Sequence, residues 1–187
     1  VVGDYQTPER RKVEDIFEFP WECCDALDPT SWGYNKRLPD DKYMSTDQLV
    51  DHLVDIVSKN GNLLINVGPR ADGTIPEAQQ ERLIGIGKWL EINGEAIFET
   101  SFWEKFGEEN IRFTRKGDNI LYAISLDWPG EALTIKSLKG WERSQIKSVN
   151  LLGVKEPLKW ELTDDGLVIH CPPEKPCEHA FAFKIRH

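Results

Sequence analysis

Two amphipathic helices are predicted in the first hundred residues from the spacing of their hydrophobic positions. The first covers residues 46–59, where hydrophobic side chains recur at helical spacing. These side chains are Leu49, Val50, Leu53, Val54 and Val57. Ser45 and Gln48 form a capping-box pattern at its start. The second helix is predicted from near Pro76 to about Ile92, and Asn93-Gly94 is expected to end it.

Short strands are predicted beside these helices. A strand is predicted over residues 62–67, where Leu63 to Val67 form a short apolar run between turn residues, the pattern of a strand covered on both faces. A second strand is predicted within residues 17–24, and the stub Val1-Val2 is interpreted as the end of a strand entered midway. Residues 25–44 form a long loop, of a length that is often functional. Strands alternating with helices indicate a parallel sheet.

The hydrophobic period changes after about residue 102. Short alternating segments follow, separated by turn residues, and predict an antiparallel β-sandwich. They cover residues 111–115, 120–126, 133–135, 146–151, 158–162, 167–170 and 180–185. We therefore expect an α/β region over residues 1–102 and an all-β domain over residues 103–187.

Composition narrows the classes of function. The chain has 187 residues and a formal net charge of −9, which disfavours nucleic acid and anionic membranes as partners. No run of 18 apolar residues predicts a membrane span. Four cysteines occur without a CxxC pair, and the four histidines lack metal-ligand spacing. We expect no metal, no cofactor, no phosphate-binding loop and no nucleophilic Ser or Cys elbow.

Carboxylates and aromatic rings beside the predicted strands are the candidate chemistry. Glu9 follows the first stub, Trp21 and Glu22 lie in the second strand, and Trp32 and Tyr34 lie on the long loop. Aromatic rings stack on sugars, and a carboxylic acid can protonate a glycosidic oxygen, so the set suits a sugar site. Taken one by one, a glutamate on a loop is more often a solvated surface charge, and Trp32 and Tyr34 are more often packing side chains.

Several sequence blocks occur together in one order. They are Gly3-Asp4-Tyr5-x-Thr7-Pro8-Glu9, Trp21-Glu22-Cys23, Ser31-Trp32-Gly33-Tyr34-Asn35, Ser58 to Pro69, Asp72-Gly73-x-Ile75-Pro76 and Gly87-x-Trp89-Leu90-x-x-Asn93-Gly94-Glu95-Ala96-Ile97. This order resembles the α-L-fucosidases of glycoside hydrolase family 29 over residues 3–100. The β region resembles that family's C-terminal sandwich through Leu121 to Ile124, Trp128-Pro129-Gly130, Leu151-Leu152-Gly153 and Leu158-Lys159-Trp160.

The resemblance implies a fold and a reaction. The expected fold is the last β/α units of a (β/α)8-type barrel followed by an antiparallel β-sandwich. The expected reaction is hydrolysis of terminal α-L-fucosides with retention, acting on a fucosylated glycan. The family also implies an extracytoplasmic location: secreted, periplasmic or lysosomal.

The resemblance also implies residue roles. Glu9 corresponds to the general acid/base and Trp32 to the aromatic wall of the fucose pocket, while Trp21, Glu22 and Tyr34 are weaker candidates that also suit a scaffold. The family's nucleophile is an Asp on an earlier barrel strand, and no Asp of this chain occupies its motif. We therefore expect the chain to lack the N-terminal barrel portion and to be inactive alone.

A non-catalytic module is the alternative. On this hypothesis the sandwich binds carbohydrate, or only braces the barrel. Exposed rings of Trp128 or Trp141 lying coplanar on one face would favour sugar binding, whereas burial of either ring is the common arrangement in sandwiches.

Overall fold

The computed structural model describes residues 4–11 and 13–187. The strand stub expected at Val1-Val2 lies outside the described residues. The chain divides into two compact units, the first ending at Lys88 and the second beginning at Trp89. In the described part of the chain, no helix is both long and apolar enough to cross a membrane.

The first unit is built on a pair of parallel strands. Strand β1 (Trp21–Ala26) pairs in parallel with β2 (Gly61–Asn66), and helix α1 (Thr46–Ser58) lies between them in the chain. Helix α2 (Glu77–Asn93) follows β2. A parallel pair needs a long crossover connection, and α1 provides it. The predicted helices and the strand over residues 62–67 are confirmed, with ends shifted by about one residue.

The capping box of α1 is also confirmed. The Ser45 side chain accepts a hydrogen bond from the Gln48 backbone at 3.1 Å, and the Gln48 side chain accepts one from the Ser45 backbone at 3.0 Å. One orphan backbone donor at the helix start is thereby satisfied, together with the amide of the capping residue.

The prediction that β2 is covered on both faces is wrong. Leu63 and Ile65 pack with Leu49 in a buried cluster, whereas Leu64 on the opposite face is 46% exposed. Successive strand residues point to opposite faces, so α1 covers only one of them. Within the described residues, no element covers the face that carries Leu64.

The second unit consists of two antiparallel sheets around one core. The five-stranded sheet has the order β3-β4-β5-β10-β7, and the three-stranded sheet has the order β6-β9-β8. The strands are β3 (Ser101–Glu108), β4 (Ile111–Lys116), β5 (Ile120–Ser125), β6 (Ala132–Ile135), β7 (Ser148–Leu151), β8 (Trp160–Thr163), β9 (Gly166–His170) and β10 (Phe181–Arg186). Phe113 and Phe183 of the larger sheet share a buried cluster with Ile135 and Ile169 of the smaller sheet. This arrangement is a β-sandwich.

Strand β3 is the one strand of the sandwich that the hydrophobic pattern did not predict. Its pairing register with β4 shifts between Phe102 and Gly107. Such an irregularity breaks the alternation of inward and outward side chains, because an extra residue moves the following ones to the other face.

Candidate functional site

The segment over residues 6–10 runs parallel to β1 along its free edge. Isolated parallel bridges join Gln6 to Trp21 and Glu9 to Cys24. The Cys24 amide donates to the Pro8 carbonyl at 3.1 Å, and the Arg10 amide donates to the Cys24 carbonyl at the same distance. These bonds hold the backbone of Glu9 beside the middle of β1, with the residue exposed.

The negative charges of Glu9 and Glu22 both affect the pKa of the Cys24 thiol. The pKa of Cys24 is raised first by burial, and then by the negative charges of Glu9 and Glu22. Glu22 and Cys24 are two residues apart on β1, so both side chains point to the same face of the sheet. Leu64 of β2, which pairs with Cys24, lies on that face as well. The structure therefore brings two carboxylates to the exposed face of the parallel sheet.

Trp21 points to the other face of β1. Its side chain is 1% exposed, and its indole Nε1 donates to the Lys59 carbonyl at 2.9 Å. In this position it packs with Ile56 and Cys23. This placement fits the scaffold role among the two roles expected for Trp21.

Trp32 lies on a loop that hydrogen bonds hold at two points. At its start, Asp28 Oδ1 accepts hydrogen bonds from the Thr30 hydroxyl at 2.7 Å and from the Ser31 amide at 3.0 Å. Further along, the Asn66 side chain at the end of β2 donates to the Trp32 carbonyl at 2.6 Å. The Trp32 residue is 39% exposed, so a ring face remains available on an anchored backbone.

The same loop packs closely on the residues after β2. A Cβ atom added to Gly68 would lie 2.8 Å from the Tyr34 backbone nitrogen and 2.9 Å from the Gly33 carbonyl carbon. Only glycine allows this approach without a shift of the backbone. The Gly68 amide donates to the buried Gln79 side chain at 2.9 Å, which holds the supporting segment in place.

Arg10 connects the Glu9 segment to the Trp32 loop. Its guanidinium carbon lies 4.4 Å from the centre of the Trp32 ring system. The same guanidinium donates to the carbonyl oxygens of Pro29 and, at 3.3 Å, Asp28. A stacked cation of this kind contributes about 0.5–1 kcal/mol at an exposed site. Arg10, which directly follows Glu9, therefore links the Glu9 segment to Trp32, the aromatic residue expected in the pocket.

Arg70 makes a looser contact of the same type, with its guanidinium carbon 5.7 Å from the centre of the Tyr34 ring. The sequence did not predict either arginine, because a cation on a loop has no periodic pattern. Arg10 had one signal, its position directly after Glu9. Together the groups offer carboxylates for proton transfer and exposed aromatic rings for stacking, a set that suits a neutral sugar.

The helix-facing side of β1 holds the residues that could bind a metal. One ligand atom each from Cys23, Asp25 and His52 lies within 4.8 Å of the others. Burial, followed by the charge of Asp25, raises the pKa of the Cys23 thiol to about 11. Sequence spacing could not reveal this group, because His52 lies on α1 and the other two on β1.

The tryptophans singled out in the sandwich pack against its core. The Trp128 ring meets Phe181 edge-on at 4.8 Å, and the Trp141 ring meets His187 edge-on at 5.1 Å, measured between ring centres. Both are partly buried beside the central cluster. They do not form the coplanar exposed pair that would favour a sugar-binding module.

Comparison with known families covers almost the whole chain. The family model described as alpha-L-fucosidase matches residues 1–95, and the one described as alpha-L-fucosidase C-terminal domain matches residues 105–186. The chain belongs to the alpha-L-fucosidase family. The resemblance drawn from the sequence blocks is confirmed.

Individual fucosidases give the extent of the match. Human tissue alpha-L-fucosidase is 35% identical over 191 residues, covering 98% of this chain and 40% of that protein. Human plasma alpha-L-fucosidase is 34% identical over 196 residues, with 98% and 41% covered. A crystal structure of Thermotoga maritima alpha-fucosidase with a mechanism-based inhibitor is similar with a TM-score of 0.85 and 35% identity, covering 98% of this chain and 43% of that one. The chain thus spans about two fifths of the length of these alpha-L-fucosidases.

Proposed function

We propose that this chain is part of a retaining α-L-fucosidase that hydrolyses terminal α-L-fucosides of glycans. In this proposal Glu9 is the general acid/base, Trp32 is the aromatic wall of the fucose pocket, and the nucleophilic Asp lies outside the 187 residues. Tyr34 and Glu22 border the pocket, and Trp21 supports it. The observation that carries the proposal is the anchored placement of Glu9 beside the Trp32 loop through Arg10.

The proposed fold of the whole enzyme follows from the exposed sheet face. A parallel sheet is normally covered on both sides, and here α1 covers one side while Glu22, Cys24 and Leu64 point to the other. We assign residues 1–102 to the last β/α units of a barrel whose interior lies on that face, and residues 103–187 to the sandwich. The ends of the two family matches, at residues 95 and 105, support a division in this region.

Retention sets a geometric demand on the missing carboxylate. Two carboxyl groups about 5–5.5 Å apart are needed, one to attack the anomeric carbon and one to protonate the leaving oxygen and then activate water. Glu9 is exposed at the edge of β1, so a carboxylate from a preceding strand can approach it. A site of action outside the cytoplasm or in lysosomes belongs to the same proposal, supported by the plasma and tissue fucosidases among the relatives.

The test is chemical rescue of Glu9→Ala in the enzyme that carries this chain. Loss of general acid catalysis should slow fucosides with poor leaving groups by about 10²–10⁴-fold, and aryl fucosides with good leaving groups much less. Azide should restore turnover of the aryl fucoside. The fucosyl azide formed should keep the anomeric configuration of the substrate, because azide replaces water in the second of two inverting steps.

Glu22→Ala is the matched comparison, since Glu22 borders the same thiol as Glu9. Its azide-treated reaction should show no rescue. Equal losses on both substrate types for Glu9→Ala, or rescue of Glu22→Ala in its place, would remove Glu9 from the acid/base role. Glu14→Ala, at an exposed glutamate of the same unit, controls for loss of surface charge.

A further inference from the structure

Three side chains of different chemistry meet between β1 and α1. Cys23 and Asp25 are two residues apart on β1, so both point to the face that α1 covers, and His52 lies on α1. Cys23 is fully buried, and the side chains of Asp25 and His52 are 14% and 12% exposed. In the described part of the chain, this is the one group of three such residues whose ligand atoms converge.

The distances suit a shared ion. His52 Nε2 lies 3.2 Å from Asp25 Oδ2, and the three ligand atoms all lie within 4.8 Å of one another. Zinc bonds of about 2.0–2.1 Å to nitrogen and oxygen, in a tetrahedron, place those two atoms roughly 3.3–3.4 Å apart. The sulfur needs to lie roughly 3.6 Å from each of them, so the group closes from its present spacing of up to 4.8 Å when the ion binds.

The elements that carry these side chains are held firmly. Strand β1 pairs with β2 at every residue from Trp21 to Ala26, and α1 begins at its capping box. A metal site binds more tightly when its ligands lie on rigid elements, because mobile ligands must be ordered when the ion binds. Here a bound ion joins a strand to the helix that covers it.

The donor set selects the class of metal. A thiolate, an imidazole and a carboxylate suit Zn²⁺, whereas Ca²⁺ and Mg²⁺ prefer oxygen ligands throughout. Three protein ligands leave one tetrahedral position for water, which can enter beside the partly exposed Asp25 and His52. We propose that Cys23, Asp25 and His52 form a Zn²⁺ site that fastens helix α1 to strand β1.

This site lies apart from the proposed catalytic groups. Glu22 and Cys24 point to the opposite face of β1, so an ion held by Cys23 does not contact them. Its role is to stabilise the first unit. The inference holds whether or not Glu9 is the acid/base, and its test does not measure fucosidase activity.

The test uses Co²⁺ as a spectroscopic substitute for zinc. The full chain, freed of metal with a chelator, is titrated with Co²⁺ and followed by absorbance. We expect one ion per chain, with a thiolate-to-cobalt charge-transfer band and the visible bands of a tetrahedral site. Competition with Zn²⁺ should remove both signals, and Zn²⁺ should raise the thermal midpoint of the first unit.

Cys24→Ser is the matched control, because this neighbouring thiol points to the other face. Cys23→Ser should lose the charge-transfer band and weaken metal binding by at least about tenfold, while Cys24→Ser keeps both. His52→Gln and Asp25→Asn should weaken binding without removing the thiolate band. Circular dichroism of each metal-free variant checks that it folds.

Two outcomes overturn the proposal. One is Co²⁺ binding no tighter in the parent chain than in Cys23→Ser, which leaves His52 and Asp25 as a simple ion pair. The other is a charge-transfer band that survives Cys23→Ser and disappears in Cys24→Ser, Cys171→Ser or Cys177→Ser.

Discussion

The two units of the chain bury their hydrophobic residues to different extents. Large exposed hydrophobic side chains are concentrated in the unit that ends at Lys88, where they are Tyr5, Phe19, Trp32, Tyr34, Leu64 and Ile84; the second unit contributes Phe98. The sandwich closes its core between two antiparallel sheets. The parallel strands of the first unit leave one face exposed, the face that carries Leu64. The second unit therefore closes its own core, whereas the first presents an open sheet face, which is the feature behind the proposed barrel.

We expect the largest loss of stability from a substitution that opens a cavity in the sandwich core. Phe183 is fully buried on β10, where it pairs with Ala123 of β5 and Leu151 of β7. Phe183→Ala should lower the free energy of unfolding of the second unit by about 3–5 kcal/mol, as lost transfer energy plus a residual cavity. Chemical denaturation of the variant, monitored separately for each unit, measures this change.

Phe98→Ala is its control, because Phe98 is 59% exposed in the same unit. It should change the unfolding free energy by less than about 0.5 kcal/mol. A similar small cost for Phe183→Ala would contradict a self-sufficient sandwich core.

A smaller effect is expected from overpacking the first unit. A Cβ atom at Gly61 would lie 2.4 Å from the Trp21 ring and 2.9 Å from an Ile56 methyl group. Since the Trp21 indole is held by Lys59, Gly61→Ala should destabilise this unit by about 1–3 kcal/mol. The midpoint of its thermal or denaturant transition provides the measurement.

Gly87→Ala is the same substitution in open space, since nothing lies within 4 Å of the added Cβ. It lies within α2, so it should stabilise the unit by about 0.5–1 kcal/mol through helix propensity. Opposite signs for the two variants are expected. Stabilisation by Gly61→Ala would show that Trp21 is not packed as described.

We expect a smaller effect on how the stability of the second unit depends on pH, through Glu95. Burial raises the pKa of Glu95, but hydrogen bonds from Lys184 and, at 2.6 Å, from the Tyr122 hydroxyl outweigh it, and the pKa falls below 4.5. A depressed folded-state pKa stabilises the fold above about pH 4.5, and this contribution is lost as the pH falls further.

Glu95→Gln should therefore flatten the acid side of the stability profile of this unit. Denaturation midpoints measured between neutral pH and the acid limit of folding check it. Glu174→Gln, at an exposed glutamate of the same unit, serves as the control and should leave the profile unchanged. An unchanged slope in Glu95→Gln would contradict the assignment.

The predictable part of the fold follows from local patterns. Helix α1 has both a hydrophobic stripe and a capping box, and seven strands of the sandwich have alternating segments between turns. The exposure of Leu64 was not predictable, because an apolar run does not reveal whether both its faces are covered. Strand β3 was missed because its pairing register is irregular.

In the candidate site, too, local patterns indicate some residues and long-range contacts bring in the others. Glu9 and Trp32 were proposed from their sequence blocks. The contact of Arg10 with Trp32 joins residues 22 positions apart in the chain, so no local pattern indicates it. The Cys23, Asp25 and His52 group depends equally on tertiary structure, since it forms only when α1 packs on β1. Long-range pairing of this kind is invisible to spacing rules.

The most direct test of the central claim is the hydrolysis of an aryl α-L-fucoside by the purified 187-residue chain, with folding confirmed by circular dichroism. In the proposed function, the chain carries the acid/base and the aromatic wall but not the nucleophile. We therefore expect no turnover above the buffer rate, because retention requires both carboxyl groups. Turnover that disappears in Glu9→Gln would contradict it, since both carboxyl groups would then belong to this chain.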